Sequence, residues 1–172
     1  MTVAASHKPP MAAPVAAPDV RDCVTTVYAA CSARDPQLLS AILHDRIDWL
    51  LAGPADQFDF YGPREGKDEV IEVLTRILPC YFQNVEFEVE KVLVQGDRAV
   101  VYGHVRARQR DTGRWIRYGF MHFLRFEQGR LISLRGIGDT FDLAEQIVGH
   151  RIDVNQGLEN VPLIPDDDLS TV

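Results

Sequence analysis

The sequence predicts an α+β domain in which helices pack on one side of a strongly curved antiparallel sheet and enclose one apolar cavity. Two observations lead to this prediction. Apolar residues recur at helical spacing in the first half of the chain and alternate, as along half-buried strands, in the second. Turn signals divide the alternating half into three successive hairpins, and helices followed by strands are typical of α+β domains.

The composition favours one domain and excludes several kinds of partner. The chain has 172 residues, 46% of them apolar, which is enough for one hydrophobic core. Its net charge of -7 argues against nucleic acid, because no run of Lys and Arg could neutralise a row of phosphates. No apolar stretch is long enough to cross a bilayer, so no membrane partner is expected.

The three cysteines, Cys23, Cys31 and Cys80, are odd in number and lack the spacing of a zinc site. A disulfide framework therefore has little support, and a reducing, cytoplasmic setting is expected.

The domain is expected to span residues 19–148. Residues 1–18 are mostly Ala and Pro and cannot bury enough apolar surface to offset the entropy of ordering, which predicts a flexible arm. Residues 149–172 include Asp166-Asp167-Asp168 and carry no motif, so they are expected to form a poorly packed C-terminal extension.

Two helix starts are marked by capping residues. Asp19 is a plausible N-cap for a helix that runs to about Ala33. Asp35 before Pro36 repeats the signal for a short second helix.

A strand, a loop and a third helix complete the first half. Ile47–Leu51 looks like a strand, and 53–66 reads as a long aromatic loop. The third helix begins at Lys67, and Pro79 is expected to end it.

The strands are expected to join at Gly96-Asp97, Asp111-Thr112-Gly113 and Glu127-Gln128-Gly129. Counting outward from each turn, as if all were tight, pairs residues that share a face. A single β-bulge would shift this register and swap the faces downstream. The predicted inward face comprises Phe87, Val89, Tyr102, His104, Arg106, Ile116, Tyr118, Phe120, His122, Leu124, Ser133, Arg135, Ile137 and Asp139.

The opposite face of the same strand is unusually aromatic for a surface in contact with water. It carries Trp115, Met121 and Phe123. We therefore expect a homodimer formed through the outer face of the sheet.

Residues 19 to about 148 contain several motifs that together point to a known family. The motifs are Val27-Tyr28-Ala29-Ala30 before Asp35, Asp48-Trp49 then Gly53-Pro54, Tyr61-Gly62 before Gly66, His122-Phe123-Leu124-Arg125-Phe126 before Gly129-Arg130-Leu131-Ile132, and Asp139-Thr140-Phe141-Asp142-Leu143. They resemble the nuclear-transport-factor-two-like superfamily, in its SnoaL-like and ketosteroid isomerase-like branch. The resemblance implies a cone-shaped curved sheet wrapped around three N-terminal helices, with a pocket for a small organic molecule. The superfamily includes enzymes, ligand binders and interaction domains.

The resemblance to ketosteroid isomerases is incomplete. Their general-base carboxylate aligns with Leu50, which cannot move a proton. Their second carboxylate falls on His122, and their helix-one tyrosine on Tyr28 or Val27.

The resemblance to limonene epoxide hydrolase is also incomplete. Asp139 matches one catalytic carboxylate, but the Arg-x-Asp pair falls on His104-Val105-Arg106. A SnoaL-like enzyme is expected instead, which moves a proton (isomerase or cyclase) or adds water on a mostly apolar substrate. The alternatives are a non-catalytic ligand-binding domain, which the missing first-strand carboxylate favours, and a dimeric interaction module.

Asp139 and His122 are the expected catalytic residues. Burial would raise the pKa of Asp139 and make it a base, although Asp139 could equally be a helix N-cap or pair with Arg106. A neutral His122 could donate to a carbonyl oxygen or shuttle a proton, or could simply be a core histidine.

No metal or organic cofactor is expected, although His104, His122 and Asp139 could also be interpreted as a metal site with two histidines and one carboxylate. The expected substrate-binding residues are Tyr28, Trp49, Tyr61, Tyr102, His104, Arg106, Tyr118 and Phe120.

Overall fold

The computed structural model describes residues 18–153. Most of the predicted arm 1–18 and the extension beyond Asp153 lie outside the described residues. The helices are α1 (Val20–Ala33), α2 (Pro36–Ile42), α3 (Lys67–Glu72), a π-helical turn (Val73–Ile77), α4 (Leu78–Tyr81) and α5 (Thr140–Val148). The strands are β1 (Leu43–Ala52), β2 (Gly62–Glu65), β3 (Phe82–Gln95), β4 (Arg98–Gln109), β5 (Trp115–Glu127) and β6 (Arg130–Gly138).

The six strands form one curved sheet in the order β2-β1-β6-β5-β4-β3. All neighbours are antiparallel except β1 and β6, which run parallel. Helix α1 packs against β3, β4 and β6, so the sheet curves around it and the core lies between them. The predicted α+β architecture with helices inside a curved sheet is confirmed.

The predicted starts of α1 and α2 are confirmed by their caps. The carboxylate of Asp19 accepts from the backbone N–H of Arg21, and that of Asp35 accepts from Gln37 and Leu38. Pro36 lies in the first turn of α2, where its missing N–H costs nothing.

The sequence predicted that the third helical segment ends at Pro79, and this prediction is wrong. The backbone N–H of Leu78 bonds to the carbonyl of Val73, five residues earlier, in the π-helical turn. A new α-helical turn then begins, and Pro79 occupies its start, where no N–H is required. The helix therefore continues to Tyr81.

The turn between β4 and β5 is longer than the sequence suggested. Gln109 donates its N–H to the carbonyl of Arg114, which encloses four residues instead of three. This shifts the pairing of β4 with β5 by one residue, so that Arg106 faces Arg117 and not Tyr118. The predicted turn at Gly96-Asp97 is confirmed.

Bulges in β3 and β6 shift the register further. The pairing of β3 with β4 slips between Val89 and Lys91. In β6, Leu131 and Ile132 are both buried, and pairing with β5 resumes one residue later at Ser133. A bulge of this kind exchanges the two faces of the strand beyond it.

The predicted inward face is therefore right for β5 and wrong for β4 and β6. Ile116, Phe120, His122 and Leu124 of β5 are buried as predicted. Phe87 and Val89 of β3 pair with Val105 and Gly103 on the inward face, although Val89 is 40% exposed. Inward predictions that are wrong are Tyr102, His104, Arg106, Ser133, Arg135, Ile137 and Asp139, which lie on the outer face or at the surface.

No helix in residues 18–153 is long and apolar enough to cross a membrane.

Candidate functional site

A cavity of about 70 Å³ lies between α1, the inner face of the sheet and the segment from Phe60 to Leu78. Such a space holds a few water molecules. Its wall is mostly aliphatic and aromatic, and no Asp, Glu, Lys or Arg lines it among the described residues. Its polar side chains are those of Tyr28, Cys31, Trp49, Tyr61, Tyr118 and His122.

The central polar feature is a hydrogen bond between α1 and β5. The Tyr28 hydroxyl oxygen lies 2.9 Å from Nδ1 of His122. The two rings are nearly parallel, and the ring of Phe120 lies 4.4 Å from the imidazole. The hydrogen bond to Tyr28 and the packing of Phe120 therefore fix the orientation of the imidazole.

Burial governs the charge state of this pair. His122 is only 8% exposed, and desolvation lowers its pKa to about 3, so the imidazole is neutral at pH 7. Desolvation also raises the pKa of the Tyr28 hydroxyl well above its ordinary value, so the phenol stays protonated.

The neutral imidazole leaves Nε2 for a ligand. Within residues 18–153, Nδ1 bonds to Tyr28 and Nε2 has no hydrogen-bond partner. If Tyr28 donates to Nδ1, the proton lies on Nε2, which then donates into the cavity. If Nδ1 donates to Tyr28, Nε2 is a free proton acceptor. The pair can thus supply either a donor or a base.

Two further polar groups in the cavity wall lack partners. The indole Nε1 of Trp49 and the hydroxyl of Tyr61 are both buried and make no hydrogen bond in the described residues. A buried polar group without a partner costs about 1–3 kcal/mol. A ligand oxygen that accepts from these groups would recover that cost.

Tyr118 adds a phenol to the same cavity. It is partly buried, and desolvation followed by its proximity to Tyr61 raises the pKa of its hydroxyl. Desolvation alone raises the pKa of Tyr61 to about 12. Both tyrosines are therefore neutral hydrogen-bond donors at physiological pH.

The aromatic loop before β2 closes the cavity from one side. Phe60 and Tyr61 pack with ring centroids 4.6 Å apart, and both are buried. Trp49 and Tyr61 line the cavity as predicted, and Phe60 lines it beside them. Phe58 packs behind them, with its ring centroid 5.7 Å from that of Phe60.

Two strand glycines complete the wall, and the sequence analysis missed them. Gly136 faces His122 across the sheet, and Gly138 faces Phe120. A glycine inside a strand often marks a close approach, which was the available signal.

Asp139 does not line the cavity. Its carboxylate accepts from the backbone N–H of Asp142 at 3.0 Å and caps α5, and the residue is exposed. The predicted pairing with Arg106 is wrong. Arg106 lies 3.7 Å from Glu86 and stacks 4.3 Å above the Trp115 ring on the outer face.

Three predicted substrate-binding residues lie on the outer face. Tyr102 and Arg106 are exposed there, and His104 bonds through Nδ1 to Glu90 at 2.6 Å. The interpretation of His104, His122 and Asp139 as a metal site is not supported, since residues 18–153 contain no cluster of three such ligands. The predicted binding residues that do line the cavity are Tyr28, Trp49, Tyr61, Tyr118 and Phe120.

Comparison with known proteins adds family information. The model of the SnoaL-like domain matches residues 24–134. No curated protein matches the chain.

Solved structures give three informative matches. A protein from Rhodopseudomonas palustris, provisionally named an isomerase, is 34% identical with a TM-score of 0.65, covering 74% of this chain and 93% of that one. A nuclear-transport-factor-two-like protein of unknown function from Burkholderia pseudomallei is 27% identical with a TM-score of 0.66, covering 74% and 96%. TerC, crystallised with polyporic acid, is 21% identical with a TM-score of 0.66, covering 75% and 98%, and shows the fold alone.

Proposed function

The chain belongs to the SnoaL-like domain family, and from that premise we propose that its cavity binds a mostly apolar small molecule that carries a carbonyl-type oxygen. The proposal rests on one observation. The apolar wall contains the His122–Tyr28 pair together with two buried polar groups, Trp49 Nε1 and the Tyr61 hydroxyl, that have no partner in the described residues.

The described residues put no charged side chain in the cavity wall, which indicates a neutral ligand. A ligand carboxylate or phosphate would lose its hydration and meet no cation there. A ketone or a similar group would keep its apolar body against the wall and accept from the free donors. The cavity is smaller than the ~300 Å³ typical of ligand pockets, so we expect Phe60 and Tyr61 to move when a ring-sized ligand enters.

We propose that the reaction is proton transfer next to that oxygen, of the isomerase or cyclase type. Nε2 of His122 takes the proton from the carbon beside the carbonyl, while Nδ1 donates to Tyr28. The electron pair of the broken C–H bond forms a C=C bond, and the π pair of the carbonyl moves to the oxygen, which accepts from the remaining donors. Nε2 then delivers a proton to another carbon, or returns one to the first carbon after exchange with solvent.

The depressed pKa of His122 limits this base in the empty cavity. An imidazolium there would be strongly destabilised by desolvation. The negative charge that develops on the ligand oxygen offsets this cost only while both charges are present.

A pair of probe compounds tests binding and chemistry separately. α-Tetralone is a bicyclic ketone, and tetralin is the same skeleton without the oxygen. In a Trp115→Phe background, Trp49 is the remaining tryptophan and reports occupancy by fluorescence. Tetralone is expected to bind about tenfold more tightly than tetralin, one hydrogen bond's worth of affinity. Equal binding of the two would refute the donor-based proposal.

Proton transfer is read from deuterium incorporation into tetralone in D₂O, followed by NMR. We expect the protein to accelerate exchange at the carbon beside the carbonyl and His122→Gln to abolish the acceleration. Residues 18–153 contribute no carboxylate to the cavity wall, which favours a second candidate, a non-catalytic ligand-binding domain. Selective tetralone binding without accelerated exchange would support that candidate.

We also propose that two copies pair through the outer face of the sheet. Trp115, Met121 and Phe123 are 43%, 39% and 44% exposed. Met121 lies between Tyr102 and Ile137 in the strand register, so these three exposed apolar side chains are contiguous across the sheet. Burying them against a second copy would remove this apolar surface from water.

We also propose that the domain spans residues 19–148 and that the protein lies in the cytoplasm. Helix α5 ends at Val148 and is capped by Gly149 in the left-handed conformation, which supports bounds of 19–148. The free cysteines Cys23, Cys31 and Cys80 support a reducing, cytoplasmic setting.

A further inference from the structure

The outer face of the sheet carries a groove of about 560 Å³ near the β3–β4 turn. Among residues 18–153, no polar residue lines both this groove and the cavity between α1 and the sheet. Its walls combine two kinds of side chain, a row of apolar residues and a row of arginines, which lie next to each other across the strands.

The arginine row carries unbalanced positive charge. Arg98 and Arg125 are direct cross-strand partners, and like charges in that arrangement repel. Arg98 reaches only Asp97, at 3.9 Å, and Arg125 has no ion pair within residues 18–153. Arg135, one row away, is bonded to Asp48. Arg98, Arg125 and Arg135 thus share two carboxylates, Asp97 and Asp48, since the pKa of Asp48 is lowered by its hydrogen bond to Arg135 and also by the charge of Arg125. The groove keeps a net positive charge that further carboxylates would neutralise.

The neighbouring row is apolar and exposed. Leu93, Val100 and Phe123 are consecutive partners on three strands. Leu93 is 57% exposed and Phe123 44%. Large apolar side chains that are contiguous and this exposed indicate a contact surface.

We propose that residues 161–168 of this chain occupy the groove. Their sequence is Val-Pro-Leu-Ile-Pro followed by Asp166-Asp167-Asp168. An apolar run leads directly into an acidic run, which is the order in which the groove presents its apolar row and its arginine row. The charges are complementary, three carboxylates against Arg98 and Arg125.

The chain is long enough to reach. The N–H of Ile152 bonds to Glu145 of α5, and Arg114 bonds to the carbonyl of Ile147 at the end of that helix. The described chain therefore leaves beside the start of β5. The ten steps along β5 from Trp115 to Arg125 span about 33 Å. The thirteen residues from Asp153 to Asp166 span at most about 45 Å when extended.

Docking would also affect the proposed pairing of two copies. Phe123 belongs both to the groove and to the outer-face patch. A docked 161–168 segment covers it, so neutralising the acidic run is expected to strengthen self-association.

A spin label near the segment tests the proposal in the full chain. Cys80 is the exposed cysteine, whereas Cys23 and Cys31 are buried. In a Cys80→Ser background, Ser170→Cys therefore carries a nitroxide selectively. We expect strong paramagnetic broadening of the amide signals of Arg98 and Arg125.

Matched variants identify which charges cause the broadening. Asp166→Asn, Asp167→Asn and Asp168→Asn together are expected to remove most of the broadening, as is 0.5 M NaCl, since exposed charge pairs are screened. Glu159→Gln, which removes an acid outside the docked run, is expected to leave it unchanged. Arg98→Gln with Arg125→Gln, folded by circular dichroism, should act like the triple substitution.

Three outcomes would overturn the proposal. One is broadening confined to the first residues of β5. Another is broadening that persists in the triple Asn variant. The third is broadening that appears only when label and isotope are on different molecules, which would assign the groove to a second copy.

Discussion

Gly136 of β6 lies directly opposite His122 of β5, and the space where its side chain would be is occupied by the imidazole and by Leu51. A Cβ at Gly136 would approach Cδ2 and Nε2 of His122 to 3.1 and 3.2 Å and the Cδ2 atom of Leu51 to 2.5 Å. The imidazole thus keeps its position partly because its neighbour has no side chain.

Gly136→Ala is expected to destabilise the fold and displace His122. The end of Leu51 is flexible and can move, but the imidazole is held by Tyr28. Overpacking of this kind costs about 1–3 kcal/mol. Urea unfolding measures the cost, and the His122 ring signals in NMR report the displacement. Gly119→Ala is the control, since its added Cβ meets no atom within 4 Å.

The buried imidazole predicts a specific dependence of stability on pH. The pKa of His122 is about 3 in the folded state and near its ordinary value of 6.5 when unfolded. Below pH 6.5 the unfolded chain therefore binds a proton that the folded chain excludes, and stability falls as the pH falls toward 3. The slope attributable to His122 is about 1.4 kcal/mol per pH unit.

Comparison with His122→Gln isolates this contribution. Between pH 6.5 and 5, where few carboxylates titrate, the native protein is expected to lose about 2 kcal/mol relative to the variant. Parallel stability curves for the two proteins would show that His122 is not buried as a neutral group.

The substitutions Tyr61→Phe and Tyr28→Phe are expected to have different effects on the stability of the fold. The Tyr61 hydroxyl is buried without a partner in the described residues, so Tyr61→Phe should leave stability unchanged or raise it by about 1 kcal/mol. Tyr28→Phe leaves Nδ1 of His122 unpaired and should cost about 1–3 kcal/mol. Thermal unfolding distinguishes them.

The same tyrosines should agree in their effect on binding. If both hydroxyls serve a ligand oxygen, directly or through His122, each substitution should weaken tetralone more than tetralin. A Tyr61→Phe variant that binds both compounds as the native protein does would exclude Tyr61 from the site.

Asp139 can be tested as a cap and as a catalyst separately. Asp139→Ala removes the side chain that caps α5 and should cost about 1 kcal/mol. Asp139→Asn can still cap and should keep native stability. Since the carboxylate lies outside the cavity, Asp139→Asn should also retain deuterium exchange of tetralone. Loss of exchange with retained stability would assign Asp139 a catalytic role.

Pairing through the outer face is tested by Phe123→Glu. Phe123 lies in the centre of the exposed apolar patch, and a carboxylate there would be buried unpaired in a dimer. A docked 161–168 segment would cover Phe123, so the test uses the chain in which Asp166, Asp167 and Asp168 are changed to Asn. Sedimentation should show a dimer for that chain and a monomer once Phe123→Glu is added. Leu38→Glu in the same chain is the control, because Leu38 is 51% exposed but lies on α2, away from the sheet. A monomer before Phe123→Glu is added, or equal masses for all three proteins, would reject the proposed pairing.

Local chemistry in the sequence determined the helix starts and most of the turns. A carboxylate at Asp19 or Asp35 caps the helix that follows it whatever the rest of the chain does, and Gly96-Asp97 makes a two-residue turn for equally local reasons. Alternate residues of β5 are buried, as the alternation of apolar residues in its sequence predicts. That pattern alone placed His122 on the inward face.

Tertiary packing alone decided which face of β4 and β6 points inward. Leu131 and Ile132 are adjacent and both are buried, which requires a bulge that no local signal marks. The extra residue in the turn before β5 has the same effect on β4. Because side chains alternate along a strand, each single-residue shift moved a whole set of predicted site residues, Tyr102, His104 and Arg106 among them, to the outer face.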